Sequence, residues 1–149
     1  MTDVQRLLAS TVTILLIDWP SRDVPDALAR HGYTVISHDD EAPDALNAYK
    51  VDGDDVRVEF VGRLPEHAGI VYTHRPVDEL AEIVETAKAI GAKAVWIQSG
   101  RDSTGAKDSR GVWLPPEESS RAREIVERAG LDYVEAPYIV DAVRTVDRA

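Results

Sequence analysis

The sequence predicts an α/β domain: a doubly wound, mostly parallel sheet of five to six strands with helices on both faces. Three observations lead there. Short β-like runs alternate with helical patterns at the spacing of strand–helix units. Several runs are continuously apolar instead of alternating, as strands are when helices cover both sides of a parallel sheet. A helix–glycine–strand arrangement also recurs at 27–37, 86–98 and 125–136. Gly32, Gly91 and Gly130 stand where a left-handed helix C-cap is needed, a conformation glycine adopts without a Cβ clash.

The first strand is predicted over 12–17, ending before Asp18. A turn through Trp19, Pro20 and Ser21 leads into a helix over 22–31, which opens on Arg22 and closes on His31, where an imidazolium suits the helix dipole. The second strand follows at 33–37. The 38–55 segment is polar and acidic, with only a faint helical signal from Ala42 to Tyr49. Further strands are predicted at 56–60 and 69–73. The helix over 77–90 places Leu80, Ile83, Val84 and Ala87 on one face. A strand at 94–97 precedes a loop at 101–111 rich in Gly, Ser and Asp. Pro115-Pro116 and the acids Glu117-Glu118 then start a helix over 117–129, with Ala122, Ile125, Val126 and Ala129 on one face. A weaker strand at 132–135 completes the pattern. No domain-scale repeat interrupts it, so 1–149 is expected to be one domain.

Composition narrows the function. Seventeen basic against 27 acidic residues leave a net charge of −10. That balance opposes duplex nucleic acid, whose binding depends on Lys and Arg meeting phosphates, and it opposes an anionic membrane surface. With no cysteine there are no disulfides, thiolate nucleophiles or cysteine metal sites. The apolar stretch near the N-terminus is short and lacks a basic lead-in, and nothing approaches a membrane span, so a cytoplasmic location is expected. No His-Glu-x-x-His or Gly-x-Ser-x-Gly pattern occurs; Gln98-Ser99-Gly100 lacks the first half of the latter. The acids between Asp102 and Asp108 do not follow the EF-hand calcium spacing, so no metal is expected.

Sheets of this kind hold ligands beyond the strand carboxyl ends, where the strand order reverses. With 12–17 as the first strand and 69–73 as the fourth, the crevice lies between 18–25 and 73–79. The 22–31 helix offers N-terminal N–H donors to a phosphate, or Ser21 or Asp23 caps them. Trp19 occupies space that glycine would leave for a pyrophosphate, and an indole there can stack on adenine, cover the mouth or simply pack. Arg75 and Arg101 follow apparent strands at this edge and are the candidate anion anchors, unless Asp78 or Glu79 and Asp102 pair with them. His74, among His31, His38 and His67, is the one histidine at the crevice and the candidate acid or base. The run 38–44 carries Asp39, Asp40, Glu41 and Asp44 without Lys or Arg. A carboxylate at the end of the second strand, Asp39 above all, favours a free ribose diol as in NAD and repels a ribose phosphate; a solvated acidic loop is the alternative.

Three stretches carry a family resemblance: "TVTILLIDWPSRDVPDALARHGYTVIS", "IVYTHRPVDELAEIVETAKAIGAKAVWIQSG" and "ESSRAREIVERAGLDYVEA". Over roughly 11–145 the chain resembles the small single-domain CoA-binding family, which is similar to the N-terminal domain of succinyl-CoA synthetase α chains. The most specific part is 72–100: Tyr72-x-x-Arg75-Pro76, an amphipathic helix, Gly-Ala-Lys-Ala-Val-Trp, then Gln98-Ser99-Gly100. The resemblance implies a Rossmann-like sheet with CoA, or a related adenine nucleotide, at its carboxyl edge. It places Trp19, Pro20, Ser21 and Arg22 on one side, His74, Arg75 and Pro76 on the other, Ser99, Gly100 and Arg101 beside them, and Asp39 near the ribose. The chain departs from the family where Asp18 and Trp19 replace small residues, where His38-Asp39-Asp40-Glu41 replaces a neutral or basic stretch, and at Tyr138 to Asp141. The expected function is a non-catalytic module for CoA, an acyl-CoA or another adenine nucleotide, with an altered site. An enzyme using His74 and Arg75 with 99–111, and a protein-interaction domain that lost its nucleotide, are the alternatives; a homodimer is compatible with each.

Overall fold

The computed structural model describes residues 2–17, 23–38, 46–98, 100, 104, 106–107 and 114–146. Five helices and seven strands stand among them: α1 (Asp3–Ser10), β1 (Thr13–Ile17), α2 (Asp23–Arg30), β2 (Thr34–His38), β3 (Leu46–Asp52), β4 (Asp55–Phe60), β5 (Ile70–Thr73), α3 (Leu80–Ala89), β6 (Ala94–Ile97), α4 (Pro116–Arg128), β7 (Asp132–Val134) and α5 (Ile139–Val143). They form one sheet in the order β4-β3-β2-β1-β5-β6-β7. The strands from β2 through β1, β5 and β6 to β7 are parallel. The α/β class and the mostly parallel sheet are as expected.

The strand count is not. Seven strands replace the expected five to six, and the sheet is mixed because β3 and β4 add an antiparallel hairpin to β2. β3 falls within the segment whose only expected signal was helical. Ala42, Ala45, Leu46 and Tyr49 stand at helix-like spacing in the sequence. Pairing overrides it: β3 sits between two partners, and Leu46, Ala48 and Tyr49 are buried. Gly53, at φ 62°, supplies the left-handed residue of the tight turn into β4. On the outer strand, Glu59 bonds Lys50 at 3.1 Å and Arg57 at 2.9 Å, which holds its carboxyl below the usual range. Such charges discourage further strand pairing at an edge. Phe60 beside them is 70% exposed.

Alternation along the central strands divides the core. Ile14 and Leu16 of β1 point into a cluster with Val24 and Leu28 of α2, Leu8 of α1, and Ile139 and Val143 of α5. Leu15 points the other way, with Val71, Val95, and the α3 and α4 residues Leu80, Ile83, Val84, Ala122 and Val126. Helices therefore cover both faces, and residues predicted for one helical face are the ones that meet the sheet. Each fully buried aliphatic side chain contributes roughly 1.5–3 kcal/mol.

The helix ends follow the glycines: Gly32, Gly91 and Gly130 have φ of 94°, 69° and 82°. Two helices were not expected, α1 and α5. A capping box starts α1, in which Thr2 Oγ1 accepts from Gln5 N at 3.1 Å and Gln5 Oε1 accepts from Thr2 N at 2.9 Å. Tyr33 Oη then donates to the Leu8 carbonyl at 2.9 Å, tying α1 to the start of β2. Among the described residues no helix is long and apolar enough to cross a membrane.

Candidate functional site

From β1 the chain proceeds outward through β2 to β3, and from β5 it proceeds in the opposite direction through β6 to β7. The reversal falls between β1 and β5, where Ile17 pairs with Thr73 at the carboxyl edge. This is the switch point at which the run of strands and helices places the expected crevice.

The β5 side of the crevice is held by buried hydrogen bonds. Thr73 is fully buried; its Oγ1 accepts from Arg75 N at 3.0 Å, and its carbonyl accepts from Gln98 N at 2.9 Å. The turn after β5 is thus fastened both to its own strand and to the end of β6. Pro76, with φ −58° already suited to a helical start, leads into a 3-10 turn at Val77–Glu79 that continues as α3. His74 and Arg75 are half-buried in this turn. The Arg75 guanidinium reaches Glu79 with Nε at 2.9 Å and Nη2 at 2.8 Å. Asp78, the other expected acid, pairs with Arg121 of α4 at 2.5 Å. Gly100, just past β6, is buried with φ 76°, a backbone that side chains rarely adopt. Across the crevice, the Asp23 carboxylate accepts from Val24 N at 2.8 Å at the start of α2.

Of the predicted site residues, His74, Arg75, Pro76 and Gly100 are brought to this edge. Trp19, Pro20, Ser21, Arg22, Asp39, Ser99 and Arg101 lie outside the described residues, as does most of the 101–111 loop. Among the described residues no group of three or more His, Asp or Glu is arranged to hold a metal ion.

One polar contact is not legible in the sequence. Tyr72 Oη donates to Gln98 Oε1 at 2.6 Å, both side chains being fully buried at the ends of β5 and β6. Both residues stand in the motifs that carry the family resemblance, but their pairing is not readable from the sequence. The available signal was a carboxamide terminating the apolar run Ala94 to Ile97, where a buried polar group needs a partner.

A second polar cluster closes the end of β7. Glu135 accepts from Ser119 Oγ, at the start of α4, and from Tyr133 Oη at 2.7 Å. Burial, reinforced by the hydrogen bond to the Glu135 carboxylate, pushes the Tyr133 phenol well above its ordinary 10.0. A phenol that resists ionisation in the folded state keeps its full contribution below that pH, and the contribution declines as pH rises beyond it and the unfolded chain ionises first. Thermal unfolding followed from pH 9 to 11 is therefore expected to show falling stability above about pH 10, and Tyr133→Phe to flatten that fall. An unchanged slope in the variant would remove Tyr133 as its cause. The groove of about 530 Å³ between α1, α4 and the outer edge of β7 is lined in part by Tyr133, Arg123 and Lys93 and lies away from the β1/β5 crevice.

Known proteins share this architecture. A Thermus thermophilus structure described as cell-free ID.343 superposes with a TM-score of 0.62 at 19% identity, over 97% of this chain and 98% of its own. A hypothetical protein from Pyrococcus horikoshii OT3 gives 0.58 at 21% identity, over 98% and 92%. At these identities the likeness is one of fold. No curated protein matches the chain. The pattern of the CoA binding domain matches residues 17–141, a span that runs from the end of β1 into α5 and takes in the whole crevice, and the protein belongs to that family.

Proposed function

We propose that this protein is a non-catalytic, cytoplasmic module, a single Rossmann-like domain that binds CoA, an acyl-CoA or another adenine nucleotide at the carboxyl ends of β1 and β5. The observation that carries the reading is the reversal of strand order between β1 and β5, in a chain whose family is defined by CoA binding. In this reading the turn through Trp19, Pro20, Ser21 and Arg22 faces the turn through His74, Arg75 and Pro76. Ser99, Gly100 and Arg101 lie beside them, and Asp39 stands at the ribose. The site is an altered one: Trp19 takes the place of a small residue, and the 38–44 carboxylates disfavour a phosphate on the ribose.

The test is thermal stabilisation of ligand-stripped protein by CoA, dephospho-CoA, acetyl-CoA, NAD, NADP, ATP and AMP. A ligand that binds only the folded state adds about 2.7 kcal/mol at a hundredfold excess over its Kd. Stabilisation by CoA or acetyl-CoA would show that the acidic loop turns away from the ribose phosphate and that the family ligand is kept. Larger shifts with dephospho-CoA or NAD would assign the acidic loop to a free ribose diol. No shift with any of them overturns the nucleotide reading.

A second reading, protein contact without nucleotide, draws support from apolar side chains exposed on the hairpin, Phe60 at 70% and Val51 at 51%, with Leu64 just after it at 43%. It expects no nucleotide shift and a mass in sedimentation that rises with concentration, as a homodimer would show.

A further inference from the structure

β4 is the outer strand of the sheet, and among the described residues no strand pairs its far side. Backbone groups along an antiparallel strand turn alternately to the partner and to the open edge. Val61 N, just past β4, donates to the Leu46 carbonyl at 2.8 Å, so the odd-numbered residues bond β3. Val58 and Phe60 therefore turn their N–H and C=O groups to the open edge. Side chains alternate as well. Val56, Val58 and Phe60 share one face, where Val56 is buried and Val58 and Phe60 are exposed. Arg57 and Glu59 share the other face and bond each other at 2.9 Å.

We propose that β4 pairs antiparallel with β4 of a second copy of this chain, about a two-fold axis through Val58, so that the two sheets join. This takes from the second reading above only that the hairpin makes a protein contact, and it holds with or without nucleotide. A two-fold axis sets one patch against the same patch, so the strand must complement itself in reverse. Centred on Val58, the pairing puts Arg57 of each copy opposite Glu59 of the other. Val58 meets Val58 on the axis, each N donating to the other's carbonyl, and Phe60 lies opposite Val56. Moving the axis by one residue destroys this match. Centred on Arg57 it sets arginine on arginine, and centred on Glu59 glutamate on glutamate, and like charges directly opposite are destabilising. One register is thus selected. Edge charges discourage pairing with strands in general; these admit a partner whose charges run in the reverse order. The same pairing covers Val58 and Phe60, two of the large apolar side chains left exposed on the single chain.

The experiment is sedimentation of the full chain over a range of concentrations. Wild type is expected to pass from monomer to dimer as concentration rises. Arg57→Glu sets acid opposite acid and Glu59→Arg sets arginine opposite arginine, each twice by symmetry. Each variant alone is expected to associate about tenfold or more weakly. Mixed in equal amounts, the two are expected to regain the dimer, because a strand with two acids then meets a strand with two arginines. Arg57 is 60% and Glu59 37% exposed, so neither is needed by the core, and thermal unfolding of each variant checks that the fold is kept. Hydrogen exchange of wild type needs no variant: the Val58 amide is expected to gain protection as concentration rises. A wild type that stays monomeric, variants that associate as wild type does, a mixture that fails to recover, or a Val58 amide indifferent to concentration would overturn the pairing. Each of those outcomes leaves nucleotide binding intact, since stabilisation by CoA is read separately.

Discussion

Replacing Trp96 by alanine is expected to lower the unfolding free energy by about 3–5 kcal/mol, the range for truncating a buried aromatic in a packed core. Trp96 is fully buried in the middle of β6, in register with Tyr72 on one side and Val134 on the other. Its ring lies 6.4 Å from that of Tyr72, tilted by 59°, an arrangement aromatic pairs favour. Alanine would leave a cavity between the sheet and the helices of the α1, α2 and α5 face, and the neighbouring strands fix the backbone against collapse. The total stability of a domain this size is about 5–15 kcal/mol, so one substitution removes a large fraction of it. Trp96→Phe is a sharper test. The indole Nε1 is buried without a hydrogen-bond partner, so phenylalanine removes packing and an unsatisfied donor together. Urea unfolding should therefore find Trp96→Phe far milder than Trp96→Ala. Comparable losses for the two would mean that the phenyl ring recovers none of the packing lost with the indole.

Replacing Arg75 by alanine is expected to weaken CoA binding about ten- to hundredfold, the worth of a charge-assisted hydrogen bond of about 1.5–3 kcal/mol. The same change should barely affect the ligand-free protein. The Arg75–Glu79 pair is about a third exposed on the arginine side, and such pairs contribute under about 1 kcal/mol. Glu79 competes with any anion for the guanidinium, since both Nε and Nη2 are engaged by one carboxylate oxygen. Glu79→Gln should accordingly tighten CoA binding severalfold. Calorimetric titration of the two variants reads opposite signs if Arg75 holds a phosphate. Unchanged affinity in both would make the pair a local helix contact, the role that its i,i+4 spacing supports by itself.

Much of this fold was legible in the sequence because its signals are local. Leu80, Ile83, Val84 and Ala87 fall on one face by period alone, and they are the residues that meet the sheet. Gly91 and Gly130 end helices because a left-handed residue is needed there, whatever lies beyond. The continuous run Ile14 to Leu16 is buried on both faces for the reason its composition suggests. Local signals failed where pairing decides. The helix-like spacing from Ala42 to Tyr49 misleads, since Leu46 to Asp52 becomes a strand because β2 and β4 flank it. The start of α1 was written in Thr2 and Gln5, but its docking required Leu8 to be buried and Tyr33 to reach its carbonyl.

The candidate site divides in the same way. The sequence by itself determined the α/β class and the strand run that implies a crevice between β1 and β5, with His74, Arg75 and Pro76 following β5, because periodicity and turn chemistry act over a few neighbours. Only the tertiary structure decided that Arg75 turns to Glu79 and Asp78 to Arg121, and that Gln98 meets Tyr72 from an adjacent strand. Those choices depend on which side chains parallel pairing sets side by side and on what burial leaves without water, and neither is encoded in any one stretch of the chain.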